Sequence, residues 1–209
     1  QVFGVILLSG GIVLAMAPIV FLVPLLSGAL PPLLASAITL CIGPFLFLTF
    51  FALLCVAAKW LLIGRTKTGR RRPGLWLAWR QWLVNRFLTS VLFRALAEYT
   101  IGGTIVCNWL YLALGVSIGK RTLIAAPIIH HDADLISIGD DVWIGSRLQL
   151  FPTARLSQAP GEQGKCPVGF AIAEMVSTPI VIGDHAIIAE RCIMLPGATL
   201  QPWSSLGSL

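Results

Sequence analysis

The first 97 residues of this 209-residue chain contain no aspartate and no glutamate, although they contain nine basic residues. This part therefore carries a charge of +9, and the rest, with six basic and nine acidic residues, carries −3. Charged residues make up 11% of the chain and hydrophobic residues 56%, with a mean hydropathy of +0.86. This composition excludes an ordinary soluble domain and indicates that part of the chain lies in lipid.

Residues suited to metal binding are scarce. The chain has five cysteines without framework spacing and three histidines, of which His130 and His131 are adjacent. Adjacent side chains on a strand point in opposite directions, so this pair is not suited to ligate one ion. We therefore expect neither a disulfide scaffold nor a metal cofactor. Because the sequence starts without Met, we expect it to be part of a longer protein.

Two long apolar runs open the sequence. Residues 2–26 contain no charge, and residues 33–63 contain only Lys59. Each run can cross a hydrocarbon core of about 30 Å, and the short link SGALPP predicts a tight helical hairpin. Five basic residues follow between Arg65 and Arg72. A basic cluster beside a span indicates the cytoplasmic side and favours anionic lipid over nucleic acid. We expect an integral membrane protein whose partner is the lipid bilayer.

The run from 74 to 97 places three tryptophans, Trp76, Trp79 and Trp82, beside arginines. Clustered Trp and Arg are typical of helices in the membrane interface. The run predicts an interfacial or re-entrant helix, with the apolar run 99–115 as its return arm. We expect this helix to lay the soluble part of the protein against the bilayer.

Aliphatic residues recur at every sixth position in the last part of the chain. Three series keep this spacing: Ile118 and Ile124; Ile138, Ile144, Leu150 and Leu156; Ile182, Ile188, Met194, Leu200 and Leu206. Small residues occupy most positions four further on. Neither a period of two nor one of 3.6 fits. In such a solenoid each hexad supplies one strand, three hexads close a triangular coil, and coils stack at about 4.8 Å. The pattern predicts a left-handed parallel β-helix.

The repeat is interrupted twice. Ile118 and Ile138 are two residues further apart than one coil requires, which places a bulge at residues 130–134. Residues 157–178 lose the repeat and are interpreted as a loop leaving one corner.

The predicted fold is thus a membrane α-helical hairpin plus an all-β left-handed parallel β-helix. We assign residues 1–64 to two transmembrane helices and residues 65–115 to a basic juxtamembrane segment with interfacial or re-entrant helices. Residues 116–209 form the β-helix, with a loop insertion at about 157–178.

The runs ISIGDDVWIGSRLQLF and TPIVIGDHAIIAERCIMLPGATL, with an irregular loop between them, resemble hexapeptide-repeat acetyltransferases of the maltose and galactoside type. With the preceding spans and the Trp- and Arg-rich helix, the arrangement resembles the C-terminal membrane region of Pls-type, ε-poly-lysine synthetase-like, non-ribosomal peptide synthetases. The first resemblance implies an acyl-CoA donor and homotrimers. The second implies adenylation and carrier domains upstream in the same chain, a phosphopantetheinyl carrier thioester as donor, and tandem β-helix neighbours.

The superfamily usually places a catalytic histidine after the strand that here reads LQLFPTARL. This sequence has Thr153, Ala154 and Arg155 there, and arginine cannot act as a base near neutral pH.

The remaining candidates lie in the bulge. His131, with His130 as its neighbour and Asp132 as an orienting carboxylate, is the predicted general base. A solvated polar corner is the alternative reading of the same residues. His185 is expected in an exposed turn.

Asp140, Asp141 and Asp184 follow glycines in IGD corners. Aspartates at such positions usually accept hydrogen bonds from the backbone of the turn, and we predict that structural role for all three.

Two functions remain open. The first is a membrane-associated acyltransferase-like domain that transfers or condenses an acyl or aminoacyl group from a thioester carrier onto a hydroxyl or amine. The second is a catalytically degenerate β-helix that acts as a scaffold or oligomerisation module, which Arg155 in the usual histidine position favours.

Overall fold

The computed structural model describes residues 2–125, 127–156 and 174–207. Its first part is a pair of long helical segments, built from α1 (Val2–Ala15), α2 (Ala17–Ala29) and α3 (Pro32–Leu62). The segments 9–29 and 32–62 are each long and apolar enough to cross a membrane. Helix α2 packs against α3. The link between them is shorter than predicted, because residues 27–29 stay helical and only Leu30 and Pro31 lie between the helices.

The run from 74 to 97 does not form the single helix predicted from the sequence. Helix α4 (Leu75–Leu88) ends where the N–H and hydroxyl groups of Thr89 both donate to the carbonyl of Asn85. Ser90 then caps α5 (Val91–Arg94) by accepting the N–H of Phe93 at 3.2 Å. Hydroxyl side chains that compete for backbone groups favour such a break. A π-helical turn at Ala95–Thr100 and helix α6 (Ile105–Leu114) complete this part of the chain.

Helix α4 packs on the hairpin through Phe87. The Phe87 ring lies 6.4 Å from the ring of Phe51 in α3. It also lies close to Gly11 in α1, where an added Cβ would be 2.7 Å from a Phe87 ring carbon. Both phenylalanines are buried. The position of α4 is therefore fixed by apolar contacts with two helices.

The rest of the chain forms short strands. In chain order they are β1 (Gly69–Arg71), β2 (Ser117–Ile118), β3 (Leu123–Ile124), β4 (Ile136–Ile138), β5 (Trp143–Ile144), β6 (Gln149–Leu150), β7 (Thr153–Leu156), β8 (Glu174–Ser177), β9 (Ile180–Ile182), β10 (Ile187–Ile188), β11 (Ile193–Met194), β12 (Thr199–Leu200) and β13 (Ser205–Leu206).

Most of these strands lie in three parallel sheets that the chain visits in turn. Strands β2, β4, β9 and β12 form one sheet, β3, β5, β10 and β13 the second, and β6 and β11 the third. Ile138 pairs with Ile182, and Ile144 pairs with Ile188. All four isoleucines are buried. The β-rich half with hexapeptide spacing is therefore confirmed.

The repeat is interrupted earlier than predicted. Strand β7, which ends at Leu156, leaves the parallel sheets and pairs antiparallel with β8. Strand β1 pairs with the other edge of β8. The basic segment after α3 is thus part of a three-stranded antiparallel sheet, which the sequence did not predict. Of the predicted loop insertion, residues 174–177 form β8, and residues 157–173 lie outside the described residues. The division of the chain at residues 64 and 115 stays a prediction.

A turn of one conformation recurs at the ends of the short strands. The residue three positions after an inward aliphatic adopts a left-handed backbone, with φ between 54° and 62°, at Arg121, Asp141, Arg147, His185, Arg191 and Trp203. Neighbouring turns bond to one another. Asp140 accepts the N–H of Lys120 at 2.6 Å, and Asp184 accepts the N–H of Asp140 at 2.8 Å. The predicted turn role of these two aspartates is confirmed.

Asp141 departs from that prediction. Its carboxylate accepts two hydrogen bonds from the guanidinium of Arg121, one turn away. Asp141 thus differs from Asp140 and Asp184 in accepting from a side chain of the neighbouring turn and not from its backbone.

The close stacking of turns yields the first prediction. A Cβ at Gly145 would lie 2.8 Å from the backbone nitrogen of Glu190, in the turn that connects β10 and β11. Gly145→Ala should lower the free energy of unfolding by about 1–3 kcal/mol, as overpacking does. Gly207→Ala is the matched control, since a Cβ there meets nothing within 4 Å. Thermal unfolding followed by circular dichroism in detergent would measure both, and equal midpoints would contradict the stacking.

Candidate functional site

The three predicted site residues lie together in the bulge between β3 and β4. Ile128 still bridges to Gln149 in the third sheet, and the chain then leaves the repeat. A 3₁₀ turn at Ala133–Leu135 closes the excursion, where the N–H of Leu135 donates to the carbonyl of Asp132 at 3.0 Å. The bulge predicted at residues 130–134 is confirmed. It places residues 130–132 against helix α4 and strand β7.

His131 is held by helix α4. The amide oxygen Oδ1 of Asn85 accepts the backbone N–H of His131 at 2.8 Å and lies 3.1 Å from the ring nitrogen Nδ1. Because an amide oxygen only accepts hydrogen bonds, the contact favours the tautomer with the hydrogen on Nδ1. The side chain is 4% exposed. His131 is therefore an oriented, buried imidazole.

His130 has different surroundings. Its ring stacks on Phe151, with centroids 4.7 Å apart and planes 22° apart. Its Nε2 is buried and has no hydrogen-bond partner among the described residues. Burial lowers the pKa of His130 below 6.5, against the opposing effect of the Asp132 carboxylate, while His131 lowers it further. His130 is therefore neutral near pH 7, with a ring nitrogen available to bind a proton.

Asp132 is the most buried of the three, with 1% of its surface exposed. Burial raises the pKa of Asp132, and a hydrogen bond from the Thr153 side chain acts in the opposite direction. The Thr153 hydroxyl also lies 2.9 Å from the hydroxyl of Ser177, across the β7–β8 pair. Oδ1 of Asp132 has no hydrogen-bond partner among the described residues. A buried carboxyl group thus lies next to a neutral imidazole.

A buried ion pair adjoins this cluster. Nζ of Lys59 lies 3.3 Å from Oδ1 of Asp134, and the Lys59 side chain is fully buried. Asp134 also accepts the N–H of Thr66 at 2.5 Å and its hydroxyl at 3.0 Å. The indole of Trp60, which donates to the carbonyl of Ala113 at 2.7 Å, lies 3.7 Å from the same Nζ. These contacts join the end of α3 to the bulge.

His185 lies in a different place. It occupies a partly exposed turn after β9, where its ring stacks on Trp203 at 4.1 Å and its Nδ1 is 3.9 Å from Asp141. The exposed-turn prediction for His185 is confirmed. Arg155 lies in β7, and its side chain is outside the described part of the structure.

Sequence reasoning missed three contributors to the cluster: Asn85, Phe151 and Thr153. Asn85 was overlooked because α4 was interpreted only through its tryptophans and arginines. The signal available was a pair of amide side chains, Gln81 and Asn85, in an otherwise apolar and basic helix. Among the described residues, no group of three or more His, Cys, Asp or Glu side chains is arranged to hold a metal ion.

No protein-family model matches the sequence, and no curated protein matches it. Among solved structures, the chain is similar to a hexapeptide-repeat-containing acetyltransferase from Vibrio cholerae O1 biovar eltor, which was determined in complex with acetyl coenzyme A. The identity is 17% and the TM-score 0.32, over 57% of this chain and 82% of that chain.

The lowered pKa of His130 predicts how stability depends on pH. The folded protein binds a proton at His130 less readily than the unfolded chain, whose histidine titrates near 6.5. The unfolded state therefore gains protons first, and stability should fall as the pH falls below about 6.5. His130→Gln should remove this component. Thermal unfolding midpoints between about pH 8 and pH 5 would measure it.

The control for this experiment is His185→Gln, which removes a histidine from a partly exposed turn. The His185→Gln variant should still lose stability below about pH 6.5, as the unsubstituted protein does, whereas His130→Gln should not show this component. If His130→Gln and the unsubstituted protein lose stability in parallel below about pH 6.5, burial of a neutral His130 is contradicted.

Proposed function

We propose that this chain is a membrane-associated acyltransferase-like domain of the hexapeptide-repeat superfamily, with the parallel strands of its β-rich half wound as a left-handed β-helix. The sequence predicted His131 as the base, but Asn85 holds the His131 ring at Nδ1, and the proposal assigns the role to its neighbour. The observation that carries the proposal is His130, a neutral imidazole with an unbonded Nε2 beside the buried carboxyl of Asp132. Such a nitrogen is suited to act as a general base. The hexad register of the three parallel sheets supports the superfamily assignment.

The proposed reaction is acyl transfer from a thioester to a hydroxyl or amine. His130 Nε2 takes the proton of the acceptor as its oxygen or nitrogen bonds to the thioester carbonyl carbon. The carbon–sulfur bond then breaks, and the imidazolium returns the proton to the leaving thiolate. The carboxylate form of Asp132 stabilises the imidazolium between these steps. Because Nε2 lies below the surface, side chains over it must rearrange to admit the acceptor.

The donor and the assembly are taken from the sequence resemblance. The donor is an acyl-CoA or a phosphopantetheinyl carrier thioester, and the carrier, with an adenylation domain, lies upstream in the same chain. Further β-helices complete the assembly, either from the other subunits of a homotrimer or in tandem within one chain.

The proposed membrane arrangement is based on the two apolar helical segments and on the basic residues that lie between the second segment and the β-rich half. Residues 9–29 and 32–62 cross the bilayer, and the β-rich half lies on the cytoplasmic side. The basic cluster between Arg65 and Arg72 lies at that end of α3. Because Lys59 near the end of α3 pairs with Asp134 of the bulge, the candidate site lies close to the membrane surface.

A second candidate function is a catalytically inactive scaffold. The observation that favours it is the burial of His131 and Asp132, which contact Asn85 of α4 and Thr153 of β7. Side chains that join three elements in this way stabilise a junction whether or not any chemistry occurs there. The two functions differ in what the loss of His130 should do.

Acyl transfer provides the test. The purified protein in detergent is given acetyl-CoA or an acyl-phosphopantetheinyl carrier protein, with a panel of hydroxyl and amine acceptors, and thiol release and acylated product are measured. His130→Gln should reduce kcat by about 10²–10⁴-fold, since a general base contributes that much. The donor that supports turnover identifies which thioester the domain uses.

The control is Arg121→Gln, which changes an exposed turn and should leave kcat unchanged. If the unsubstituted protein transfers no acyl group from either donor, the scaffold function is favoured. If His130→Gln retains full kcat while transfer occurs, the assignment of His130 as base is wrong.

The proposed topology is tested separately by cysteine labelling. Arg121→Cys introduces a thiol at an exposed turn of the β-rich half. In intact cells a membrane-impermeant maleimide should not label this thiol, and labelling should appear once the membrane is permeabilised, because the half is cytoplasmic. The unsubstituted protein, which keeps Arg121, gives the background labelling of the native cysteines. Labelling of intact cells above that background would contradict the topology.

A further inference from the structure

Helix α4 contacts the candidate site through the side chain of Asn85. A single oxygen of Asn85 contacts both the backbone N–H of His131, at 2.8 Å, and Nδ1 of its ring, at 3.1 Å. A two-point contact of this kind fixes the peptide and the ring of one residue together. Because the amide oxygen can only accept a hydrogen bond, His131 must donate from Nδ1, which fixes the tautomer with the hydrogen on Nδ1.

The backbone of Asn85 is itself held in place. Its main-chain carbonyl accepts from the N–H and hydroxyl of Thr89, at 2.8 and 2.6 Å, so Asn85 lies in the last turn of α4. Two residues later Phe87 packs against Phe51 of α3 and against Gly11 of α1. The position of the amide is therefore set by the helical hairpin and not by the parallel sheets.

We infer that Asn85 is a positioning residue for the site: by holding His131 in one tautomer and one place, it keeps the preceding His130 against Phe151 and beside Asp132. This inference deepens the proposed function, because the catalytic role of His130 rests on that function. The contact itself rests only on the geometry. The hairpin thus contributes to the site in addition to attaching the domain to the bilayer.

The 3₁₀ turn after Asp132 and the stacking of His130 on Phe151 determine what a shift of His131 would change. His130, His131 and Asp132 are consecutive, and the 3₁₀ turn that begins at Ala133 fixes the next residues. On the other side, the ring of His130 has its stacking partner on Phe151 at 4.7 Å. A shift of the His131 peptide would therefore move the ring of His130 relative to both Phe151 and Asp132.

The test is the tautomer of His131, read from the ring-nitrogen resonances of histidine-labelled full chain in lipid nanodiscs. Only three histidines are present, so His130→Gln, His131→Gln and His185→Gln assign the signals. His131 should carry its hydrogen on Nδ1. Asn85→Leu, which has no acceptor, should give mixed tautomers at His131, and Asn85→Asp, which keeps an acceptor oxygen, should restore the Nδ1–H form.

The His185 signal, from a turn outside the cluster, is the internal control for an intact fold. If His131 in the unsubstituted protein carries its hydrogen on Nε2, the inference is overturned, whether or not Asn85→Leu folds. An unchanged Nδ1–H signal in a folded Asn85→Leu also overturns it.

The effect of Asn85 on catalysis is measured separately, as kcat for acyl transfer. This measurement distinguishes the positioning role of Asn85 from the proposed acyltransferase function. Asn85→Leu should lower kcat at least tenfold with little change in KM, and Asn85→Asp should recover most of this loss. Absence of acyl transfer by the unsubstituted protein contradicts the proposed function but leaves the tautomer result in place. An Asn85→Leu variant with normal kcat and altered tautomers contradicts the positioning role alone.

Discussion

The arrangement of the two halves depends on the buried contact between Lys59 and Asp134. An ammonium and a carboxylate removed from water are tolerated only when they are paired and hydrogen-bonded. Asp134 meets this requirement with two bonds from Thr66 as well as the ion pair. Removing one partner of such a pair typically costs about 3–5 kcal/mol, because the other charge stays buried. Because Lys59 belongs to α3 and Asp134 to the bulge, the pair favours the observed position of the end of α3 against the bulge.

Several other contacts are consistent with that position. Strand β1, which directly follows α3, pairs with β8, and Arg70 and Arg72 contact Glu174 at the end of β8. The carboxylate of Glu98 accepts from Arg147 at 3.0 Å, which connects the π-helical turn to the parallel sheets. These exposed pairs each contribute little energy in water. They are consistent with the same orientation of the helices relative to the β-rich half that the Lys59–Asp134 pair favours.

The parts of the fold that could be predicted are those that repeat. The hexads alone indicated the parallel strands and their inward aliphatic residues, and the two apolar helices followed from length and charge. The hexads did not indicate which isoleucines pair, because the predicted series counted Leu156 before Ile182, whereas Ile182 pairs with Ile138. The antiparallel sheet could not be predicted, because β1 consists of a glycine and two arginines and has no strand signal. The break after Leu88 depends on hydroxyl groups whose competition with the helix is decided by packing. Asn85 carried no sequence signal for its partner, which is 46 residues away.

The candidate site occurs where the solenoid is irregular, and there is a physical reason for this. In a regular coil each inward residue is buried against its equivalents above and below, so every turn presents similar surfaces to its surroundings. The two residues by which the first coil exceeds the usual length release residues 130–134 from the sheets, and the departure of β7 supplies Thr153 to the same place. Asp132 and His131 can therefore contact β7 and α4, which no regular turn could do. The polar cluster therefore lies where two departures from the repeat meet, and the first of them also contacts helix α4 through His131.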